Sequence, residues 1–167
     1  MPASTSGIRD YRAGDADSTL AVFQRAVREV ASRDYTPVQI EAWAGNMDQS
    51  VWAHSLERQC TWVAMLNNTL AGFASLNDHG HLDMLFVSPD YQRCGVASAL
   101  LMSAEQAVRQ RGMDHMTTEA SLTALPFFKA RGFEVVKAQE IERRGQVLKN
   151  FRMEKCVKEI EPVGKRG

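Results

Sequence analysis

The chain switches between two hydrophobic periods, and each switch marks a change of element. Ile8 to Arg12 alternates apolar and polar positions as a short strand does. It leads through Ala13-Gly14 to Asp15, a residue type that caps helices, ahead of Leu20, Phe23, Val27 and Val30 at helical intervals. Strand, turn and amphipathic helix are expected. Thr36 before Pro37 predicts the start of a second short helix through Ile40 and Trp43, and a third helical turn is expected over Ser50 to Arg58. Residues 61–66 and 70–76 read as antiparallel strands joined by the polar loop Asn67-Asn68-Thr69. A further apolar run, 81–87, is stopped by Ser88-Pro89-Asp90, whose proline cannot extend a ladder.

From Gly95 onward the period lengthens. Val96, Ala97, Leu100, Leu101, Ala104, Ala107 and Val108 make a helical stripe that Arg111-Gly112 closes. A strand over 115–120 follows, then a helix over 124–130 ended by Arg131-Gly132. Strands over 133–137 and 147–155 come last, with a hairpin turn at Arg143-Arg144-Gly145. Strands and helices mixed in this order predict a three-layer α/β or α+β domain around a central sheet.

Composition narrows the picture. A length of 167 residues with 44% hydrophobic content suits one domain, expected over 7–157, with a disordered start at 1–6 and a loose tail at 158–167. Twenty basic residues balance twenty acidic ones, so no global field draws the chain to nucleic acid or to an anionic membrane. Cys60, Cys94 and Cys156 are odd in number and lack CxxC spacing, which argues against a disulfide framework and a zinc site. No apolar run approaches the roughly 20 residues that span a bilayer, and the first residues lack a signal pattern. A reducing cytoplasm is the expected location.

Chemistry concentrates at Leu85-Phe86-Val87-Ser88-Pro89-Asp90-Tyr91-Gln92-Arg93-Cys94-Gly95-Val96-Ala97-Ser98. Here a strand runs through a tight loop into a helix mouth, where the first main-chain N–H groups lack helical partners and the dipole is positive. Such an end suits a diphosphate. Gly95 permits close approach, Arg93 adds charge, and Ala97 and Ser98 are small. By itself the pattern also fits an ordinary turn. A nucleotide-binding module would need G-x-G-x-x-G or G-x-x-x-x-G-K-[ST], and neither is present.

Gln92-x-x-Gly95-Val96-Ala97 after an apolar strand resembles the acetyl-coenzyme A motif Q/R-x-x-G-x-G/A of the GNAT acetyltransferases. Ala124-Leu-Pro-Phe-Phe-Lys-Ala-Arg-Gly-Phe133 is similar to their second signature, A-x-x-F-Y-x-x-x-G-F. The resemblance covers residues 61 to 155 in element order and implies a small, bacterial-type, single-domain N-acetyltransferase. It implies a central mixed, mostly antiparallel sheet of about six or seven strands, splayed in the middle and flanked by helices on both faces. Acetyl-coenzyme A would lie along Leu85, Phe86 and Val87, on the loop Gln92 to Ser98, and against Phe127 and Phe128. A strand N–H would serve as the oxyanion donor. Homodimers are common among such proteins.

Attack by an amine needs a proton acceptor. Period-2 geometry places Asp83, Leu85 and Val87 on one strand face and Leu82, Met84 and Phe86 on the other, so Asp83 is an acid among apolar neighbours. Burial there would raise its pKa and suit a general base, unless it only caps or pairs. His81 and Glu119 are further candidates, each with a surface role as the plain alternative. The family's usual tyrosine acid is replaced by Phe128, leaving Ser121 or water to protonate the leaving thiol, and motivating a catalytically silent acetyl-coenzyme A sensor as the alternative. Cys94 at a helix start invites a covalent acyl route, but the resemblance puts it at the far end of the cofactor from the thioester. The resemblance implies an acceptor, a small-molecule or peptide amine, held between the first helices and the late strands, which offer Tyr35, Trp43 and Phe151, with Trp52, Trp62 and Phe127 as other aromatic walls; plain core packing is the alternative for each.

Overall fold

Strand β1 (Gly7–Asp10) leads to helices α1 (Ala16–Glu29), α2 (Pro37–Ala44) and α3 (Gln49–Glu57), then to strands β2 (Cys60–Leu66), β3 (Thr69–Leu76) and β4 (His81–Val87). Helix α4 (Val96–Gln110), strand β5 (His115–Ser121), helix α5 (Leu125–Ala130) and strands β6 (Glu134–Arg143) and β7 (Gln146–Cys156) complete the chain. This computed structural model describes residues 7–158, so the start expected at 1–6 and all but Lys158 of the tail expected at 158–167 lie outside the described residues. The seven strands form one sheet in the order β1-β2-β3-β4-β5-β7-β6. Every neighbouring pair is antiparallel except β4 with β5.

Local chemistry explains most boundaries. Thr36 accepts the Gln39 N–H at 3.2 Å while the Gln39 side chain accepts the Thr36 N–H at 2.8 Å, a capping box with Pro37 in the first turn. Asp48 caps α3 through the N–H groups of Ser50 and Val51. Asn67 and Asn68 both adopt positive φ, 53° and 62°, which short amide side chains tolerate and a two-residue hairpin needs, so Thr69 already belongs to β3. The last hairpin turns on Arg144 and Gly145, and β6 runs to Arg143, six residues beyond the expected end at 137. Asp15 does not cap α1 with its side chain. Its carboxylate is drawn aside by Arg9, at 2.8 and 3.0 Å, and by the Arg12 N–H at 2.8 Å.

Two apolar cores occupy the two faces of the sheet. Helix α4 and Phe128 and Phe133 pack with Leu76, Leu82, Met116 and Met153 on one face. Val22, Phe23 and Val27 of α1, Ile40 of α2, and Trp52 and Leu56 of α3 pack with Val63 and Phe73 on the other. Gly72 lets α4 lie close, since a Cβ there would sit 2.8 Å from the Phe86 carbonyl and 2.9 Å from Val96 Cγ1.

The sheet opens between β4 and β5. They pair only at His81↔Thr117 and Leu82↔Thr118, with the Thr118 hydroxyl donating to the Leu82 carbonyl at 2.9 Å. Past that point the strands part, as expected. The β3–β4 register shifts at the same place, from Ser75↔Met84 to Leu76↔Leu82, which leaves Asp83 as the extra residue of a bulge. A bulge bends and twists its strand, so β4 turns away from β5 where Asp83 stands.

Candidate active site

The loop before α4 is built to leave main-chain donors free. Ser88 accepts the Asp90 N–H at 3.2 Å, and the Gln92 amide reaches back to the Val87 carbonyl at 3.1 Å, closing the turn on its own strand. Arg93 and Gly95 follow with φ of 62° and 77°. The first helical bond is from the Ala99 N–H to the Gly95 carbonyl at 3.1 Å, so the N–H groups of Val96, Ala97 and Ser98 have no helical acceptor. A Cβ on Gly95 would meet nothing within 4 Å. Open space therefore faces three unpaired donors and the positive end of a 15-residue helix, which fits a diphosphate.

Charges brace and line this mouth. Arg25 of α1 grips Asp90 at 2.8 and 3.2 Å, tying the far side of the fold to the turn and holding the Asp90 carboxyl below its ordinary range. The Arg93 guanidinium is exposed and forms no hydrogen bond or ion pair with a described residue, which leaves its charge available to an anion. Arg131 contacts the Ser98 hydroxyl and lies 5.1 Å from the centre of the Phe127 ring. Arg131 stands just before the glycine of the second signature, and that position is the one signal for it in the sequence. Cys94 is exposed and its thiol lies 3.6 Å from the Gln92 carbonyl, in the loop itself.

Two cavities meet in the gap between β4 and β5. The smaller, about 190 Å³, is lined by Leu85, Val87, Gln92, Ala97, Phe127 and Phe128. The larger, about 680 Å³, lies under α1, α2 and α3. Trp43, Phe86 and Ser121 line both. On the gap side of β4, past Leu82, the N–H groups of Leu85 and Val87 have no strand partner among the described residues. The Ser88 N–H bonds the Ala71 carbonyl at 2.7 Å, and strand alternation then turns the N–H groups of Leu85 and Val87 away from β3 toward the opening.

The bulge corrects the expected facing of Asp83. Leu85 and Val87 pack toward α4 together with Leu82, whereas Asp83 joins Met84 and Phe86 on the wall of the larger cavity. Asp83 is exposed rather than buried, and its carboxylate accepts from the Gln59 amide at 3.1 Å. His81 lines the same cavity with Nδ1 2.8 Å from the Thr117 hydroxyl, and Glu119 enters it from β5. The Ser121 hydroxyl oxygen accepts the Ala124 N–H at 3.0 Å, which leaves its proton free.

The aromatic walls are sorted in the same way. Tyr35 is buried and lines the larger cavity, but its hydroxyl is committed, donating to the Lys149 carbonyl at 2.6 Å and accepting from the Leu122 N–H at 2.9 Å. Burial pushes its pKa up. Trp52 is a further wall, with its indole N–H bonded to the Thr19 hydroxyl at 3.1 Å. Phe151 is the exception. It packs with the α4-side core and lines neither cavity, because odd positions of β7 face away from Leu148 and Asn150. Trp62 is likewise core. Phe128 is 4% exposed and packs on Phe127 and Phe133 at 5.3 and 5.1 Å between ring centres.

Comparison with known proteins agrees with this geometry. Residues 31–155 match the model of the acetyltransferase (GNAT) domain. The chain is 44% identical over 146 residues to the uncharacterized N-acetyltransferase YafP of Escherichia coli, covering 87% of this chain and 93% of that one. A crystal structure of a GCN5-related N-acetyltransferase from Rhodopseudomonas palustris superposes with a TM-score of 0.88 at 35% identity, over 93% and 98% of the two chains. The PaiA N-acetyltransferase of Thermoplasma acidophilum in complex with coenzyme A shares the fold, with a TM-score of 0.71 at 20% identity over 91% and 99%. The open seven-stranded sheet, the free helix mouth and these matches together define an acetyltransferase. The chain belongs to the GNAT acetyltransferase family. Among the described residues, no helix is long and apolar enough to cross a membrane.

Proposed function

We propose that this enzyme moves an acetyl group from acetyl-coenzyme A to a primary amine of a small molecule or peptide, by direct attack in a ternary complex in the cytoplasm. One observation carries the reading: the cavity beside the anion-binding helix mouth and the larger cavity share Trp43, Phe86 and Ser121 in the gap of the sheet. The N–H groups of Val96, Ala97 and Ser98, with Arg93 beside them, hold the diphosphate. The free edge of Leu85 and Val87 takes the pantetheine arm as an added strand, with Phe127 and Phe128 as its wall. When bound, the thioester supplies an activated acetyl group. A free strand N–H in the gap stabilises the charge that develops on its oxygen.

Asp83 and Glu119 flank the larger cavity from the two parted strands and receive the proton of the incoming ammonium, with His81 beside them. Phe128 has no proton to give. The Ser121 hydroxyl, in the wall common to both cavities, donates a hydrogen bond to the departing sulfur, which leaves as a thiolate and takes its proton from water, and a thiol pKa of roughly 8.5 makes that departure easy. The test is release of free thiol from acetyl-coenzyme A with a panel of primary amines, measured above hydrolysis. Thiol release with at least one amine is the expected result. Coenzyme A binding with no transfer to any amine would replace the enzyme by a sensor.

A further inference from the structure

One side chain on the floor of the larger cavity is left unsatisfied by the fold and is used by none of the roles above. Asn150 of β7 is 7% exposed and lines that cavity. Its side-chain oxygen is enclosed without a hydrogen-bond partner, and its amide nitrogen bonds no described residue. An amide shut away unpaired is costly, so buried polar groups of this kind are completed by ordered water or by a ligand that displaces it. The polar groups around it are already engaged. The Tyr35 hydroxyl serves Lys149 and Leu122, and the Ser121 oxygen serves Ala124.

Its position indicates the partner. Asn150 is the ladder partner of Ser121, so the two side chains stand side by side, with Cβ atoms about 5 Å apart. Ser121 belongs to the wall that both cavities share, while Asn150 lines only the larger one. The amide therefore sits beside the transfer point, on the acceptor side. The oxygen as placed is enclosed, and a half-turn about the last side-chain bond turns it to the cavity and puts the nitrogen in its place; neither atom has a hydrogen-bond partner among the described residues that would hold the amide one way round.

We infer that Asn150 binds the acceptor, its amide oxygen receiving one N–H of the attacking amine and holding the nitrogen lone pair toward the gap between β4 and β5. This rests on the transfer reading. It assigns to the larger cavity a group that recognises a nitrogen bearing at least two hydrogens, the class of primary amines, and disfavours fully substituted nitrogen.

Kinetics of Asn150→Leu and Asn150→Asp against the best amine of the panel test the assignment. Asn150→Leu is expected to raise the acceptor KM by roughly tenfold or more with coenzyme A affinity unchanged. Asn150→Asp keeps an oxygen acceptor at the same volume and is expected to restore most of the loss, a rescue that a merely structural role would not produce. Asn150→Ala replaces the leucine variant should that one not fold. An unchanged acceptor KM in the truncated variant, or a loss confined to coenzyme A affinity, overturns the assignment while the wild type still transfers acetyl. A wild type inert toward every amine removes the transfer reading itself, and this inference with it.

Discussion

The two halves of the cleft are made in opposite ways. The half proposed for the coenzyme is a single stretch, residues 85–98, whose free groups are main-chain N–H donors at the mouth of α4. The half proposed for the acceptor is assembled from α1, α2, α3, β4, β5 and the β6–β7 hairpin, and what it offers is side chains: Trp43, Trp52, Asp83, Glu119, Asn150. A diphosphate and a thioester arm are the same in every reaction of a coenzyme, so main-chain geometry suffices to bind them. An acceptor must be told from its analogues, and that discrimination needs shaped walls and placed polar groups.

The largest expected effect tests the main-chain half. Gly95→Glu puts a carboxylate into open space beside the free donors and forces a side chain onto φ 77°. Calorimetry should then find no coenzyme A binding; retained affinity would mean that the helix mouth is not the diphosphate site. Next comes the acceptor half. Asp83→Asn should lower kcat by roughly 10²–10⁴-fold with coenzyme A affinity little changed, the range of a positioned acid–base group. Unchanged turnover would transfer the role to Glu119.

A third change leaves both halves alone. Asp15 is a side-chain anchor between β1 and α1, far from the gap, and its pKa is lowered chiefly by the Arg9 hydrogen bond. A carboxyl held low in the folded state stabilises above its unfolded pKa of about 3.9, and that stability is lost as pH falls through the folded value. Asp15→Asn should cost about 2 kcal/mol at pH 7, as loss of a partly buried charged hydrogen bond does, with both KM values unchanged. The gap in Tm between variant and wild type should close below about pH 4. The smallest effect is assigned to Phe151→Leu, which should leave the acceptor KM within about twofold because that ring lines neither cavity. A large rise would return Phe151 to the acceptor wall.

Legibility in the sequence followed the same division. The loop Gln92 to Ser98 and the helix stop at Arg111-Gly112 were readable because each depends on a few adjacent residues. The hairpin at Asn67-Asn68 was readable too, since two consecutive residues that tolerate positive φ leave few alternatives. Asp83 was read onto the wrong face. Period-2 counting assumes an unbroken ladder, and one inserted residue at the bulge inverts the parity of every position before it. The family resemblance and aromatic character point to Phe151 as an acceptor wall, whereas facing on β7 depends on register with β5 and β6. Asn150 gave no signal, because an asparagine in a strand becomes conspicuous only once its neighbours prove to be engaged elsewhere.

The sequence by itself determined the element order, the turns and the helix mouth with its free donors, since these arise from short-range backbone preferences and unpaired donors within one contiguous segment. Which way Asp83 faces, where β4 leaves β5, and which of the distant side chains share the larger cavity were decided only by the tertiary structure. Those features depend on strand register and on packing between segments more than a hundred residues apart, as where Tyr35 meets Lys149.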